Sequence, residues 1–114
     1  MNQTINVTIT GSFPGYQIAF SADPSNVPYN QTATITYTVT SKGFRIRGIN
    51  LQRSPFSSND ELTWAVPNGG QSLILSNNNC DTQETRFGLE IIFEDSQGNR
   101  FSSMDPEVVD EGEE

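Results

Sequence analysis

Apolar and polar residues alternate along most of the chain. The period is two in Ile5-Asn6-Val7-Thr8-Ile9 and again in Ile35-Thr36-Tyr37-Thr38-Val39. Because successive side chains of a strand point to opposite faces of a sheet, this period predicts strands with one buried face. The pattern predicts about eight strands, near residues 5–9, 16–20, 35–39, 44–51, 62–66, 73–75, 87–93 and around Phe101.

Short segments rich in glycine, proline, asparagine and serine separate the predicted strands. They predict two antiparallel hairpins, one turning at Lys42-Gly43 and one at Gln97-Gly98. Short strands with regularly spaced turns favour two sheets packed face to face, since each sheet needs a surface against which to bury its apolar side. The sequence therefore predicts an all-β fold, an immunoglobulin-like antiparallel β-sandwich of about seven to eight strands. A jelly roll or a small barrel is the alternative.

The strand near 44–51 carries a further signal. Its apolar residues change from even to odd positions across Gly48, as one extra residue in the strand would cause, so a β-bulge is expected there. The bulge leaves Arg45 and Arg47 pointing into solvent beside Lys42, which predicts a basic face. Trp64, in the middle of another predicted strand, is expected in the core.

Charge divides the chain unevenly. Of the formal net charge of −8, −6 falls on the last ten residues and −2 on the first 104. This predicts a β-sandwich domain over residues 1–103 followed by an acidic C-terminal segment over residues 104–114, here called the acidic segment. One interpretation of the segment is a disordered solubiliser. The other is a contact element that adds a strand to a sheet edge or docks in a groove, because apolar residues stand among its charges.

The functional hypothesis is a non-enzymatic protein-interaction or structural module that uses the acidic segment. The candidate contact residues are Met104, Asp105, Pro106, Glu107, Val108, Val109 and Glu111. Their expected counter-surface is the basic face of Lys42, Arg45 and Arg47, on the same chain or on a second copy. A basic partner protein is the alternative, so the expected partners are another protein or a homo-oligomer.

Other partner classes are not expected. Nucleic acid binding depends on clustered lysine and arginine, whereas this chain is acidic. No apolar stretch approaches the roughly 20 residues that span a bilayer, and the start lacks the pattern of a secretory signal. The sequence therefore predicts a cytoplasmic protein without a membrane partner.

The available residue types argue against catalysis. The chain has no histidine, which removes the usual general base and the commonest zinc ligand. Its single cysteine, Cys80, lies beside Asp81 with no basic neighbour, which disfavours a reactive thiolate. Glu90 and Glu94 share the outer face of one predicted strand without a motif that pairs them for hydrolysis. No enzyme activity, cofactor or metal is expected.

The alternative function is a carbohydrate- or calcium-binding domain that uses loops at one end. The candidate calcium ligands are the oxygen-bearing side chains of Asn77, Asn78, Asn79 and Asp81, or of Asp23 and Asn26. The candidate sugar-stacking residues in loops are Tyr29 and Phe56, either of which is also suited to closing one end of the sandwich.

Asp105-Pro106, with Glu111 six residues after Asp105, resembles the terminal motif of the DP-EP family. This family of small bacterial proteins of unknown function is named for a pair of such dipeptides, and Gly112 stands here in place of the second proline. The resemblance implies a bacterial immunoglobulin-like sandwich without an assigned activity. It transfers no catalytic or ligand residue to this chain.

Overall fold

The computed structural model describes residues 2–23, 25–53, 62–67, 69–79, 84–103 and 106–112. These residues form ten strands and no helix, and therefore no helix long enough to cross a membrane. The strands are β1 Asn2–Thr10, β2 Gln17–Phe20, β3 Ser25–Val27, β4 Thr32–Val39, β5 Phe44–Arg53, β6 Leu62–Ala65, β7 Ser72–Asn78, β8 Thr85–Asp95, β9 Arg100–Ser103 and β10 Glu107–Asp110. The eight predicted strands are confirmed, and β3 and β10 are additional.

The strands form two sheets. The first has the order β2-β1-β4-β7-β6, and the second has the order β3-β10-β8-β5, with β9 also paired to β8. Strands β9 and β10 lie one after the other along the same edge of β8, beside residues 91–94 and 85–88 respectively. The amide of Leu89 donates to the carbonyl of Pro106 at 2.9 Å and continues the ladder between them.

The connections are those of an immunoglobulin-like sandwich. The chain crosses between sheets from β4 to β5 and from β7 to β8, whereas β6–β7 and β8–β9 are antiparallel hairpins. Strands β4, β7 and β6 thus follow the B, E, D order of immunoglobulin domains, and β5, β8 and β9 follow the C, F, G order. The predicted fold class and the hairpin at Gln97-Gly98 are confirmed.

Two predicted details are wrong. The sheets are mixed rather than purely antiparallel, because β1 runs parallel to β4 and β3 runs parallel to β10. The predicted hairpin at Lys42-Gly43 is instead a crossover, because β4 and β5 belong to different sheets. The residues between them favour a reversal of the chain but do not determine which sheet it enters next.

The inner faces of both sheets make one apolar core. On β1, β4 and β7 the buried residues alternate with exposed or half-buried ones, as the period of two predicts. Burial of this apolar surface is the main stabilising term, at about 25 cal/mol per Å². The largest fully buried side chains include Ile5, Ile35, Tyr37, Leu73, Leu75, Phe87, Leu89, Ile91 and Phe93.

The bulge predicted in β5 is confirmed, since the register with β8 shifts between Ile46 and Gly48. The position predicted for Trp64 is wrong, because its side chain is 45% exposed. Strand β6 has only four residues and forms the edge of the first sheet, where Leu62 alone is buried. The indole lies instead against β5, with Cη2 3.7 Å from the position that a Cβ on Gly48 would take.

Residues 106–112 of the acidic segment belong to the sandwich. Strand β10 lies between β3 and β8, and Val108, Val109 and Asp110 are 0%, 4% and 0% exposed. Charge predicts an appendage here, whereas the structure shows a sheet strand, because Val108 packs in the core, Val109 is buried and the backbone joins β3 to β8. The predicted boundary between residues 103 and 104 adjoins Met104 and Asp105, which lie outside the described residues.

Buried polar contacts hold this strand against the first sheet. Asn77 of β7 donates from its side-chain amide to the carboxylate of Asp110. The amide of Asn79 donates to the carbonyls of Val27 and Glu111, each at 2.9 Å. Leaving such a buried group without its partner costs about 1–3 kcal/mol. These bonds therefore stabilise the position of β10 in addition to the burial of its valines.

Candidate functional site

Three loops meet at one end of the sandwich, here called the loop end. They join β4 to β5, β6 to β7 and β8 to β9, and two of them occupy the B–C and F–G positions that carry binding loops in antibody variable domains. The loops and the adjoining strand ends enclose a cleft of about 560 Å³. Its lining includes Phe44, Arg45, Gln71, Glu94, Ser96 and Gly98.

Two hydrogen bonds attach the β6–β7 loop to strand β5 at this end. The amide of Ile46 donates to the carbonyl of Gly70 at 2.7 Å, across the two sheets. The side-chain amide of Gln71 donates to the carbonyl of Phe44 at 3.2 Å. One wall of the cleft is therefore attached to β5, the strand that carries Arg45 and Arg47.

Three arginines surround one carboxylate beside the cleft. Glu94 accepts from Arg45 at 3.0 Å and from Arg100 at 3.3 Å, and Arg47 Nε lies 3.8 Å from the same side chain. The cross-strand register explains this cluster, because Glu94 of β8 pairs with Arg45 of β5 on one side and with Arg100 of β9 on the other. We call these four residues the arginine cluster.

The arginine cluster has surplus positive charge. The Glu94 side chain is 10% exposed, and the hydrogen bond from Arg45 is the largest of the effects that hold its pKa below the ordinary value of 4.5. It is therefore ionised at neutral pH, and one negative charge faces three guanidinium groups. The arginine side chains are 41–61% exposed, which leaves them accessible to a further anion.

Asp95 shapes the adjoining β8–β9 loop. It accepts from the backbone amides of Gln97 and Asn99, each at 2.9 Å, and from the Tyr16 hydroxyl at 2.9 Å. Burial opposes ionisation of Asp95, but these bonds and that from the Asn99 side chain outweigh it and lower the pKa. Tyr16 also packs against the ring of Phe44 at 5.1 Å between centroids. The β8–β9 loop is therefore connected through Asp95 to the packed aromatic rings of Tyr16 and Phe44.

Charge is distributed unevenly between the loop end and the rest of the chain. Four of the six basic residues in the sequence, Lys42, Arg45, Arg47 and Arg100, lie here with Glu94 and Asp95, a formal charge of +2. The remaining residues comprise two basic and twelve acidic ones, which is −10 and completes the total of −8. The predicted basic face is thus part of a larger positive surface.

The acidic segment lies elsewhere. Strand β10 pairs with residues 85–88 of β8, whereas Glu94 is at the other end of that strand. Glu107 accepts from Arg86 at 3.0 Å, and Arg86 also contacts Glu84. Among the described residues of one chain, the cationic partner of the acidic segment is therefore Arg86 and not the expected basic face.

The structure also locates the alternative candidates. Asn77 and Asn79 use their amides within the protein, and Asp23 accepts from the backbone amide of Glu107 at 2.9 Å. No group of three or more acidic or cysteine side chains suited to a metal ion occurs in the part of the chain that the structure describes. Tyr29 is half-buried. Three further candidates, Phe56, Cys80 and Asp81, lie outside that part.

Glu90, on the same face of β8 as Glu94, has a different environment. It accepts from the Asn50 side chain at 2.7 Å and from the Ser102 hydroxyl at 2.9 Å, and these bonds lower its pKa. Both carboxylates are thus stabilised as anions. A general acid in hydrolysis needs the opposite, a carboxyl whose pKa is raised.

The family model of the DP-EP family matches residues 3–111. The chain belongs to the DP-EP family. The match begins in β1 and ends after β10, so in this DP-EP protein the shared region includes both sheets, the loop end and Asp105-Pro106. No curated protein sequence matches the chain.

Acid is expected to destabilise this DP-EP protein partly through the loop end. The pKa values of Glu94 and Asp95 are lowered in the folded state, so their contribution is present above their unfolded pKa and is lost as the pH falls through the folded values. Urea unfolding between about pH 6.5 and pH 2.5 measures this loss. Glu94→Gln is expected to flatten the pH dependence, whereas Glu84→Gln, at an exposed site, serves as the matched control. Equal slopes in the parent and Glu94→Gln would contradict the assignment.

Proposed function

We propose that this protein is a non-enzymatic interaction module that binds acidic segments of proteins at its loop end. The observation that carries the proposal is the arginine cluster, in which three half-exposed guanidinium groups share one carboxylate. Guanidinium groups bind carboxylates through paired hydrogen bonds, so the surplus charge favours glutamate and aspartate side chains.

Glu94 has a positioning role in this proposal. Its bonds to Arg45 and Arg100 hold both side chains in place before a partner arrives, which reduces the entropy lost on binding. The neighbouring cleft of about 560 Å³ is within the usual size of ligand sites and admits a few residues of an extended chain. Part of the acidic segment is built into the sheet, so we assign the contact surface to the basic loop end and not to strand β10.

A labelled peptide of Glu-Ser repeats, about ten residues long, is a suitable probe because it presents alternating carboxylates without a fold of its own. Fluorescence anisotropy is expected to show binding that weakens as NaCl rises. The double variant Lys42→Gln/Arg47→Gln is expected to bind roughly two- to thirtyfold more weakly, since each exposed charge contributes about 0.2–1 kcal/mol. It leaves the two closer arginine bonds to Glu94 intact.

Arg86→Gln is the control for position, because it removes a positive charge at the other end of β8. We expect its affinity for the peptide to equal that of the parent. A peptide of Lys-Ser repeats is expected not to bind. Equal affinity of the Lys42→Gln/Arg47→Gln variant and the parent would refute the assignment of the loop end as the binding surface.

Carbohydrate binding is the second candidate, favoured by the exposed indole of Trp64. Its ring lies close to β5 at Gly48, where no side chain intervenes, and its exposed part is available for stacking on a sugar. A glycan array compared with a Trp64→Ala variant tests it. Sugar binding that depends on Trp64, together with no binding of the acidic peptide, would favour this candidate over the first.

A further inference from the structure

We infer that the acidic segment bound at the loop end is that of a second copy of this chain, so that the protein associates head to tail. This inference rests on the proposed function and names its partner. It follows from where the structure places the two charged regions and from how far apart they lie.

The two regions lie at opposite ends of strand β8. Asp110 pairs with Thr85 at one end, whereas the arginine cluster surrounds Glu94 near the other. Glu94 lies nine residues after Thr85 along the strand, a distance of about 30 Å at 3.3 Å per residue. The long axis of the molecule, 46 Å against 22 Å for the other two, accommodates this separation.

The carboxylates at the end of the acidic segment are too distant to reach the loop end of the same chain. The backbone of Glu111 is fixed, since its amide donates to Val27 at 2.9 Å and its carbonyl accepts from Asn79. The sequence continues with Gly112-Glu113-Glu114, and three extended residues span at most about 10 Å. Contact between these carboxylates and the arginine cluster therefore requires another molecule.

The fixed backbone also leaves the Glu111 side chain exposed. Both hydrogen bonds of Glu111 use main-chain atoms, and Glu111 is exposed. The carboxylate of Glu111 therefore remains available while β10 stays in the sheet. Two surfaces of opposite charge on different ends give a heterologous contact, which continues from copy to copy unless it closes into a ring.

The net charge of −8 opposes association of identical chains at long range. At physiological ionic strength this repulsion is screened beyond about 8 Å, whereas ion pairs in contact are screened less. We therefore expect association that is weak and transient, and that disappears at high salt because its own ion pairs are then weakened.

Two variants test the inference in sedimentation velocity experiments. The basic-end variant carries Lys42→Glu and Arg47→Gln, and the acidic-end variant carries Glu111→Lys and Glu113→Lys. The parent is expected to increase in average mass between about 10 µM and about 1 mM in low salt, the range for weak complexes. Each variant alone is expected to stay monomeric, because each lacks one of the two complementary surfaces.

An equimolar mixture of the two variants gives the decisive result. The basic-end variant retains its acidic end and the acidic-end variant retains its basic end, so they form one interface. We expect a heterodimer that grows no further, because both remaining ends are defective. Matching circular dichroism spectra and melting temperatures would show that both variants are folded.

A parent protein that stays monomeric up to about 1 mM, the weak limit of specific association, would overturn the inference. So would variants that associate as the parent does, because the contact would then use another surface such as a sheet edge. If the parent is monomeric but the Glu-Ser peptide still binds, the inference fails and the proposed function stands. If neither binds, both fail.

Discussion

A chain that ends at Pro106 is expected to be unfolded or aggregated at neutral pH. It lacks Val108 and Val109, which are 0% and 4% exposed and contribute about 1.5–3 kcal/mol each by burial. It also leaves the buried amide of Asn77 without its acceptor in Asp110, at about 1–3 kcal/mol, and removes the Glu111 carbonyl, one of the acceptors of Asn79. The combined loss of about 4–9 kcal/mol is comparable to the stability of a whole domain, about 5–15 kcal/mol.

The truncated chain also lacks the strand that joins β3 to β8 in the second sheet. Without β10, strand β3 has no paired strand among the described residues, and β8 exposes an edge over residues 85–88. Such an edge pairs readily with other chains, which favours aggregation. Circular dichroism, urea unfolding and amide NMR spectra compare the truncated and parent chains.

A chain that ends at Gly112 is the matched control. It removes two carboxylates but keeps β10 and its contacts, and it is expected to unfold at nearly the parent's urea concentration. Asp110→Ala is a milder variant, expected to cost about 1–3 kcal/mol because Asn77 loses an acceptor for its buried amide. Cooperative unfolding of the chain ending at Pro106 at the parent's midpoint would show that the acidic segment is only a solubiliser.

Strand β10 was not predicted from the sequence, for a physical reason. Glu107-Val108-Val109-Asp110 has two adjacent apolar residues and no period of two, and its carboxylates are typical of a solvated tail. The feature that makes it a strand is pairing with β3 and β8, far away in the chain. Asp110 is buried because Asn77, 33 residues away on the other sheet, donates to it. The residues next to β10 in the sequence identify none of these partners.

The elements that were predicted correctly depend on local pattern. The alternation of apolar residues predicted the strands other than β3 and β10, and the change of parity across Gly48 predicted the bulge. The predicted hairpin at Lys42-Gly43 was wrong because a turn signal does not specify which sheet the next strand joins. Trp64 has the parity of the buried Leu62, but it lies on an edge strand where the partner sheet covers it only in part.

The site was predictable in part for the same reason. Parity alone placed Arg45 and Arg47 on the outer face of β5, and the structure places them there. Assigning Glu94 and Arg100 to this surface required the register on both sides of β8. The pair of Glu94 and Arg100 could have been found from the sequence, because the predicted hairpin at Gln97-Gly98 aligns these two residues. The other pair depends on a strand more than 40 residues earlier.

Gly70→Ala is expected to cost about 3 kcal/mol and to weaken binding at the loop end. Its φ of +68° is a left-handed conformation that costs other residues about 1–2 kcal/mol. A Cβ there would lie 2.8 Å from the carbonyl oxygen and 3.2 Å from the amide nitrogen of Ile46, and 2.9 Å from the Cβ of Arg45. These atoms have little freedom to move, because Ile46 itself donates to Gly70. Overpacking of this kind adds about 1–3 kcal/mol.

Gly69→Ala separates the two effects. Gly69 also has a positive φ, +92°, but a Cβ there meets no atom within 4 Å, so only the conformational cost of about 1–2 kcal/mol is expected. Urea unfolding measures both variants, and anisotropy with the Glu-Ser peptide measures their binding. Because the contact of Gly70 lies beside Arg45, its variant alone is expected to displace the arginine cluster. Equal stability and equal affinity of the two variants would show that the close approach of the β6–β7 loop to β5 does not determine the geometry of the cleft.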